Sequence, residues 1–470
     1  MSNEALCFTP ATELAHAIAA KDLSPVELTD AVIRRAESLE PALNAFATFT
    51  PDLAMEAARR AEQALVEGRN LGPLHGVPVT IKDLADTAGV RTMKGSYILE
   101  HNIPAASTAL VTRLEEAGAI SLGKTTTSEF GWKAVSHSPV TGITSNPWRL
   151  GYNAGASSCG AAAAAAAGYG PLHHGSDGAG SIRIPAHFCG VFGIKPSFGR
   201  IPNVPVRNND QSSHHGPLTR TVADAALMLE VMAGPHPHDH YSLEAQPAPY
   251  ASSLNADPTK WHIAYSPDLG HARVDPEVAA LVADAVKSFE DLGATVEEVP
   301  VGFGPMGPDL VRFFWAAHEL ELVQHLEQFE AVMDPGLVAC MRDAQDHSAA
   351  DYVSMRGRKL AYVEAIHRFF DSWDLLLTPS VSVAAFPADR LQPEHWPAHP
   401  WDWLSWAEFS YPFNMSGNPS ASVPAGFTAD GLPVGLQITG RRLEDLTVLQ
   451  ASAVFEAARP WAQDRPTVLT

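Results

Sequence analysis

Cysteine is scarce in this chain. Four residues in 470 (Cys7, Cys159, Cys189 and Cys340) form no C-x-x-C pair, which excludes a disulfide framework and reads as reduced thiols of the cytosol. Charge is also sparse, at 18% against about 25% in ordinary globular chains. Positive charge is the minority, 32 Lys+Arg to 53 Asp+Glu for a net −21, which excludes a nucleic-acid-coating surface. No apolar run approaches the ~18 residues of a membrane span; the alanine run Ala161–Ala167 stops at Gly160 and Gly168. The first residues, Met-Ser-Asn-Glu-Ala-Leu-Cys, offer no basic and apolar leader. The expectation is a cytoplasmic protein without membrane attachment. Its 46% of hydrophobic residues promise a well-buried core.

What is present is an alternation of strand and helix signals. Ser24-Pro25-Val26-Glu27 has the pattern of a capping box with proline at the first helical position, opening a helix to about Leu39. Val77–Ile81 reads as a buried strand, Ser107–Ala117 as an amphipathic helix stopped by Gly118, and Ala119–Leu122 as the next strand. That order is a βαβ unit. Ile263–Tyr265, Pro276–Leu292 and Thr295–Val299 repeat it. Phe313–Phe329 and Tyr352–Phe370 read as long helices, and Ser420–Ala425 with Val434–Ile438 as a hairpin around Ala429-Asp430-Gly431. The segment Asn146–Arg200 is crowded with Gly, Ser and Ala, which lets backbone approach backbone or ligand closely. An α/β protein follows, with a central, mixed but largely parallel twisted sheet and helices on both faces. No linker divides the chain. A single domain over 1–470 is expected, with a core segment at about 70–225 and a helical and loop-rich cover at about 305–415.

Three stretches carry the chemistry: Gly72-Pro73-Leu74-His75-Gly76-Val77-Pro78-Val79-Thr80-Ile81-Lys82-Asp83, Gly155-Ala156-Ser157-Ser158-Cys159-Gly160, and Gly175-Ser176-Asp177-Gly178-Ala179-Gly180-Ser181-Ile182-Arg183. Singly, each is a common turn, with Lys82 a strand-end lysine, Ser157 a helix cap and Ser181 a turn serine. In this order and spacing the set resembles the amidase signature family. The resemblance extends through Gly123-Lys124-Thr125, Ser145-Asn146-Pro147-Trp148, Gly216-Pro217-Leu218-Thr219-Arg220 and Pro433-Val434-Gly435-Leu436-Gln437 to most of the chain.

The resemblance implies the amidase signature fold and a Lys–Ser–Ser triad. Ser181 would be the nucleophile, Ser157 the bridging serine with a cis peptide bond, and Lys82 the base. The physical logic is independent of the family. A serine hydroxyl attacks only when a neighbouring base takes its proton, and a lysine serves as base only if burial depresses its pKa. The end of an apolar strand suits that. Backbone N–H groups of Gly178, Ala179, Gly180 and Ser181 would face the developing oxyanion, with Asp177, Arg183 and Ser158 supporting the loop. Two departures stand out: Ala156 and Cys159 replace glycines of the family's Gly-Gly-Ser-Ser-Gly-Gly, and Gly178-Ala179-Gly180 replaces its usual Thr/Ala-Gly-Gly.

Other readings are weaker. Cys159 has no His and Asn arrangement to make it a nucleophile and reads as a small buried thiol. His236-Pro237-His238-Asp239-His240, His173-His174 and His214-His215 invite a metal, but no closing ligand set has normal spacing. Gly-x-Ser-x-Gly is absent, and neither glycine-rich loop is followed by Gly-Lys-Ser/Thr. No metal and no cofactor are expected.

Trp396, Trp401, Trp403 and Trp406 crowd a proline-broken loop. Such a loop reads as the wall or lid of an apolar pocket, formed by Trp401, Trp403 and Trp406 with Trp132, Phe314 and Trp315. Between Trp148 and Pro196 the only charges are Arg149, Asp177, Arg183 and Lys195, which offers no clamp for a charged amino acid. The resemblance therefore implies a free-standing amidase akin to aryl acylamidases, urethanases and nylon-oligomer hydrolases. It would cleave an amide, anilide or carbamate of a small apolar or aromatic substrate and act as a monomer or homodimer, without nucleic acid or membrane. The alternative is the glutaminase component of a tRNA-dependent amidotransferase complex. That family's Arg-Arg-x-x-x-Gly-Thr stretch has no counterpart near Cys340–Gln345. A non-catalytic scaffold would not need all three triad positions.

Overall fold

Alternating apolar patterning and two βαβ signals build one continuous sheet. The computed structural model describes residues 2–69, 72–209, 211–246 and 248–467; residues 70 and 71, at the start of the expected core segment, lie outside them. The strands of its main sheet are β1 (Phe46–Phe49), β2 (Pro78–Lys82), β3 (Ile120–Thr125), β4 (Leu172–Asp177), β5 (Phe192–Lys195), β6 (His214–Thr219), β7 (His262–Tyr265), β8 (Thr295–Glu298), β9 (Leu375–Pro379), β10 (Ser420–Phe427) and β11 (Pro433–Gly440). They pair in the order β1-β3-β2-β4-β6-β5-β10-β11-β9-β7-β8. The sheet is mixed, as expected, but not largely parallel. Parallel ladders join β2 to β3 and β4, and β7 to β8 and β9. All six other ladders are antiparallel. The two βαβ units lie toward the flanks, and the centre is closed by direct antiparallel returns that the crossover signal did not reveal.

Helices α1 (Pro25–Leu43), α3 (Cys159–Ala167), α4 (Arg183–Cys189) and α5 (Pro276–Asp291) pack on this sheet, and α2 (Ala109–Glu116) joins the same apolar core through Leu110, Val111 and Leu114. Ser24 caps α1 through the Val26 and Glu27 N–H groups at 3.0 and 3.2 Å, and its own hydroxyl donates to Glu62 rather than completing a box with Glu27. Every residue of α3 is buried. Its small side chains let the helix lie against β2, β3, β4 and β6; a Cβ on Gly160 would come 2.4 Å from the Ala45 carbonyl oxygen.

Helices α6 (Gly307–Glu319), α7 (Pro335–Ala344) and α8 (Ala349–Phe369) pack together, and α6 and α8 meet β7 and β9 through Leu310, Tyr362, Ala264 and Leu376. The expected long helix 313–329 breaks after Glu319 into 3₁₀ turns and a short helix Leu326–Phe329. This cover has its own apolar core, in which Trp132, Trp396, Trp401, Trp403 and Trp406 pack with Leu337, Met341 and Phe386. Helix α9 (Asp445–Ala458) closes the chain against β10 and β11. Among the described residues no helix is long and apolar enough to cross a membrane.

Candidate active site

Strands β2 and β4 are parallel neighbours, with Thr80 opposite His173, so their C-terminal ends deliver Lys82 and Ser176 to one place. Open α/β sheets bind ligands at such strand ends. Between β3 and β4 the chain turns through left-handed backbone at Gly155 (φ 91°) and Ala156 (φ 41°) and places Ser157 and Ser158 at the start of α3. Ser158 occupies the N-cap position, but its hydroxyl does not cap the helix. It serves Lys82 instead.

The Lys82 side-chain nitrogen lies 2.7 Å from Ser157 Oγ, 2.9 Å from Ser158 Oγ, 2.9 Å from Ser176 Oγ and 3.2 Å from the Ser176 carbonyl oxygen. The Ser158 hydroxyl donates to the Ser176 carbonyl at 3.0 Å. Lys82 is fully buried. Burial pushes its pKa well below the ordinary lysine value, and Arg207 adds to the shift. The Ser181 hydroxyl accepts the Ser157 backbone N–H at 3.4 Å. Lys82, Ser157 and Ser181 are thus brought together as the spacing implied. Ser176 was not singled out. Its position in the third motif was visible in sequence, but the strand register that aims it at Lys82 was not.

The loop from Asp177 to α4 is clamped internally. Burial would raise the Asp177 carboxyl, but the Arg183 guanidinium and Asn414 outweigh it and hold the group below the usual carboxylate range. Arg183 bonds both carboxylate oxygens at 2.9 and 3.0 Å and also reaches Ser410, Asn414 and Gln437. The same carboxylate accepts the Gly180 N–H at 2.7 Å and the Ile182 N–H at 3.1 Å. Gly180 therefore departs from the expected set of four oxyanion donors: its N–H faces Asp177. The N–H groups of Gly178, Ala179 and Ser181 meet no acceptor among the described residues. Gly180 has φ 126°, and a Cβ there would sit 2.4 Å from Ser410 Oγ, so only glycine fits this turn.

The peptide bond before Ser157 is trans, against the cis bond the resemblance implied; the cis bond among the described residues is Val204–Pro205. The left-handed pair Gly155–Ala156 makes the turn instead. Ala156 is therefore more than an added methyl, because a non-glycine residue there is strained by about 1–2 kcal/mol.

A cleft of about 440 Å³ opens onto Ser157, Ser176 and Gly178. Trp315, Phe130, Leu84 and Leu322 supply its apolar wall. Phe314 lines a small side cavity with Gly178. The other expected wall residues are elsewhere. Trp401, Trp403 and Trp406 are 4, 1 and 0% exposed and belong to the cover's core. Trp403 donates to the Trp132 carbonyl at 2.8 Å, and Trp406 donates to Leu391 at 3.1 Å and stacks 6.0 Å from Phe188. Trp132 is buried and faces a different surface hollow. The Trp403 and Trp406 indoles each found a backbone acceptor, which let a polar-tipped ring be core. The low charge of 148–196 also proved a poor guide, because Asp86, Lys94, Arg207 and Glu319 reach the cleft from other parts of the chain.

The paired histidines hold no metal geometry; among the described residues no group of three or more His, Cys, Asp or Glu could hold an ion. His174 accepts the Lys82 backbone N–H at 3.4 Å and shares a 3.0 Å bond with His215, which reaches Asn203 at 3.2 Å. Burial pushes both rings down, so they are neutral props. Gly118 to Thr125 has the Gly-x-x-x-x-Gly-Lys-Thr spacing of a phosphate loop. It is mostly strand β3, however, and its Lys124 is buried on the Ala85 carbonyl and, at 2.8 Å, on Thr87 Oγ1. All four cysteines are free and buried.

A buried lysine–serine cluster beside a glycine turn on this sheet defines a class of serine-dependent acyl-transfer enzymes. Residues 27–449 match the family model described as Amidase, and the chain belongs to the amidase signature family. It is a hydrolase of carbon–nitrogen bonds. It is 40% identical to an acylamidase of Rhodococcus erythropolis, over 99% of this chain and 98% of that one. A glutamyl-tRNA(Gln) amidotransferase subunit from Carboxydothermus hydrogenoformans is a more distant match, 34% identical over 98% and 99% of the two chains. The solved structure of a bacterial aryl acylamidase of the family superposes with a TM-score of 0.90, at 31% identity and 97% coverage of both chains.

Proposed function

We propose that this single-domain amidase hydrolyses anilides, amides and aryl carbamates of apolar substrates through an acyl-enzyme on Ser181. The observation that carries the reading is the 2.7 Å contact from Lys82 to Ser157 beside Ser181. Neutral Lys82 takes the Ser157 proton while Ser157 takes that of Ser181. The Ser181 oxygen attacks the carbonyl carbon, and the oxyanion is met by the N–H groups of Gly178 and Ala179 with that of Ser181, each worth about 3 kcal/mol in such sites. The proton returns through Ser157 to the leaving nitrogen, the C–N bond breaks, and water repeats the sequence to free the acid. No cofactor enters these steps. Trp315 and Phe130 on the cleft wall favour a flat apolar group. The enzyme works without nucleic acid or membrane, in the cytoplasm, as a monomer or homodimer.

A second reading, hydrolysis of the glutamine amide within an amidotransferase complex, gains support from Arg207 and Glu319, since both line the cleft and could meet the two charges of an amino acid. A panel of p-nitroacetanilide, an aryl carbamate and glutamine decides. The anilide should have the higher kcat/KM, and a preference for glutamine would reverse the choice. In the anilide assay kcat/KM should rise with pH through an apparent pKa well below lysine's ~10.4, because the depressed pKa of Lys82 supplies the neutral base at moderate pH. Lys82→Arg, which cannot become neutral, should be inactive; an active arginine variant would make Lys82 structural.

A further inference from the structure

The cleft holds one carboxylate that no described residue answers. Five charged side chains line it: Asp86, Lys94, Arg207, Glu319 and Glu321. Lys94 pairs with Asp86 at 3.4 Å. Arg207 bonds the Leu84 carbonyl at 3.1 Å and feels the opposite charges of Asp86 and Glu321. Glu319 has no hydrogen bond or ion pair among the described residues, and the charges that act on it are the carboxylates of Glu321 and Glu129. It is also the last residue of α6, where the helix dipole disfavours a negative charge. Burial and the two carboxylates push its carboxyl up to about 8. Desolvation, like charge and the helix end all oppose this carboxylate, and no contact among the described residues offsets them.

Its position relative to the chemistry is defined by the helix. Trp315 lies one turn before Glu319 on α6, and both face the cleft. The Trp315 ring abuts Gly178, 3.6 Å from where a Cβ on that glycine would be. The four residues from Trp315 to Glu319 rise about 6 Å along the axis. Gly178, Trp315 and Glu319 thus line one cleft, with Glu319 a further turn along the helix from the ring that abuts Gly178.

We infer that Glu319 is a specificity residue that takes a basic amine carried several bonds from the scissile carbonyl, so that substrates with an amine-terminated chain are preferred to their neutral counterparts. An ammonium brought against the carboxylate supplies the charge-assisted bond the protein lacks and draws its pKa back down. The inference rests on the acyl-transfer reading above.

The test compares 6-aminohexanoyl-p-nitroanilide with hexanoyl-p-nitroanilide. In the wild type the amine-bearing anilide should have the higher kcat/KM, and Glu319→Gln should cut the amine-to-neutral ratio about tenfold or more. If both anilides are turned over and the ratio is the same in the variant, the inference falls and the acyl-transfer reading stands. If the wild type hydrolyses neither, both fall. Should the glutamine variant not fold, inhibition of the wild type decides: hexylammonium should compete with hexanoyl-p-nitroanilide at lower concentration than hexanol, and equal potency overturns the inference.

Discussion

The floor of the site and the tryptophan cover above it are both buried, yet by opposite means. The floor is polar: Lys82, Ser157, Ser158, Ser176, Asp177, Ser181 and Arg183 lie at or below 5% exposure, each with hydrogen-bond partners that take the place of water. The cover is apolar: Trp132, Trp403 and Trp406 lie at or below 1%, and what polarity they have is mostly spent on nearby carbonyls. Buried polarity is expensive unless fully satisfied. A chain keeps it where the geometry does something. Buried aromatic area is favourable wherever it fits, and so it is a poor sign of a binding site. The comparison teaches that the costly kind of burial marks the proposed site, whereas buried aromatic area does not.

The comparison breaks first at Ser181. Ser181→Ala should lower anilide turnover by about 10³-fold or more with an unchanged melting temperature, measured by steady-state kinetics and thermal unfolding. Near-wild-type turnover would place the chemistry elsewhere. Trp406→Ala tests the other region. It should cost about 3–5 kcal/mol of stability while changing KM for aromatic and aliphatic amides alike, read by denaturant unfolding beside both assays; a selective rise for the aromatic substrate would return Trp406 to the pocket.

Trp315→Ala sharpens the boundary between the regions, because this ring faces the cleft and also packs edge-on against Trp403 at 5.2 Å. KM for an anilide should rise about fivefold relative to acetamide, the effect of losing one aromatic contact of ~1 kcal/mol. The smallest effect is at Ala156. Ala156→Gly removes the left-handed strain at φ 41° and adds glycine's conformational entropy, for a net gain of up to ~1 kcal/mol and a melting temperature raised by up to about 1 °C in a chain of this length. A clear loss of stability would mean that the methyl's packing outweighs the strain.

Much of this was legible in the chain. The triad could be read because its three members lie in motifs whose small residues are dictated by close approach, as the 2.4 Å clash awaiting a Cβ at Gly180 attests. The flanking βαβ units and the β10–β11 hairpin could be read from patterning. What stayed hidden depends on register or on partners. Ser176 meets Lys82 through the pairing of β4 with β2, and Gly180 drops out of the expected oxyanion donors because Asp177 claims its N–H. The tryptophans misled because composition shows how apolar a loop is but not which way its rings turn. Glu319 was overlooked because it comes from a helix more than a hundred residues after the motifs.

The setting of Lys82 has a further consequence. A lysine that accepts a proton acquires three N–H donors, and here three acceptors already stand around it: the hydroxyls of Ser157 and Ser158, and Ser176 through its hydroxyl or its carbonyl. In the proposed mechanism the new ammonium finds these acceptors already in place as it forms. In that mechanism the proton waits on a fully buried nitrogen, one hydroxyl away from the leaving nitrogen that will need it.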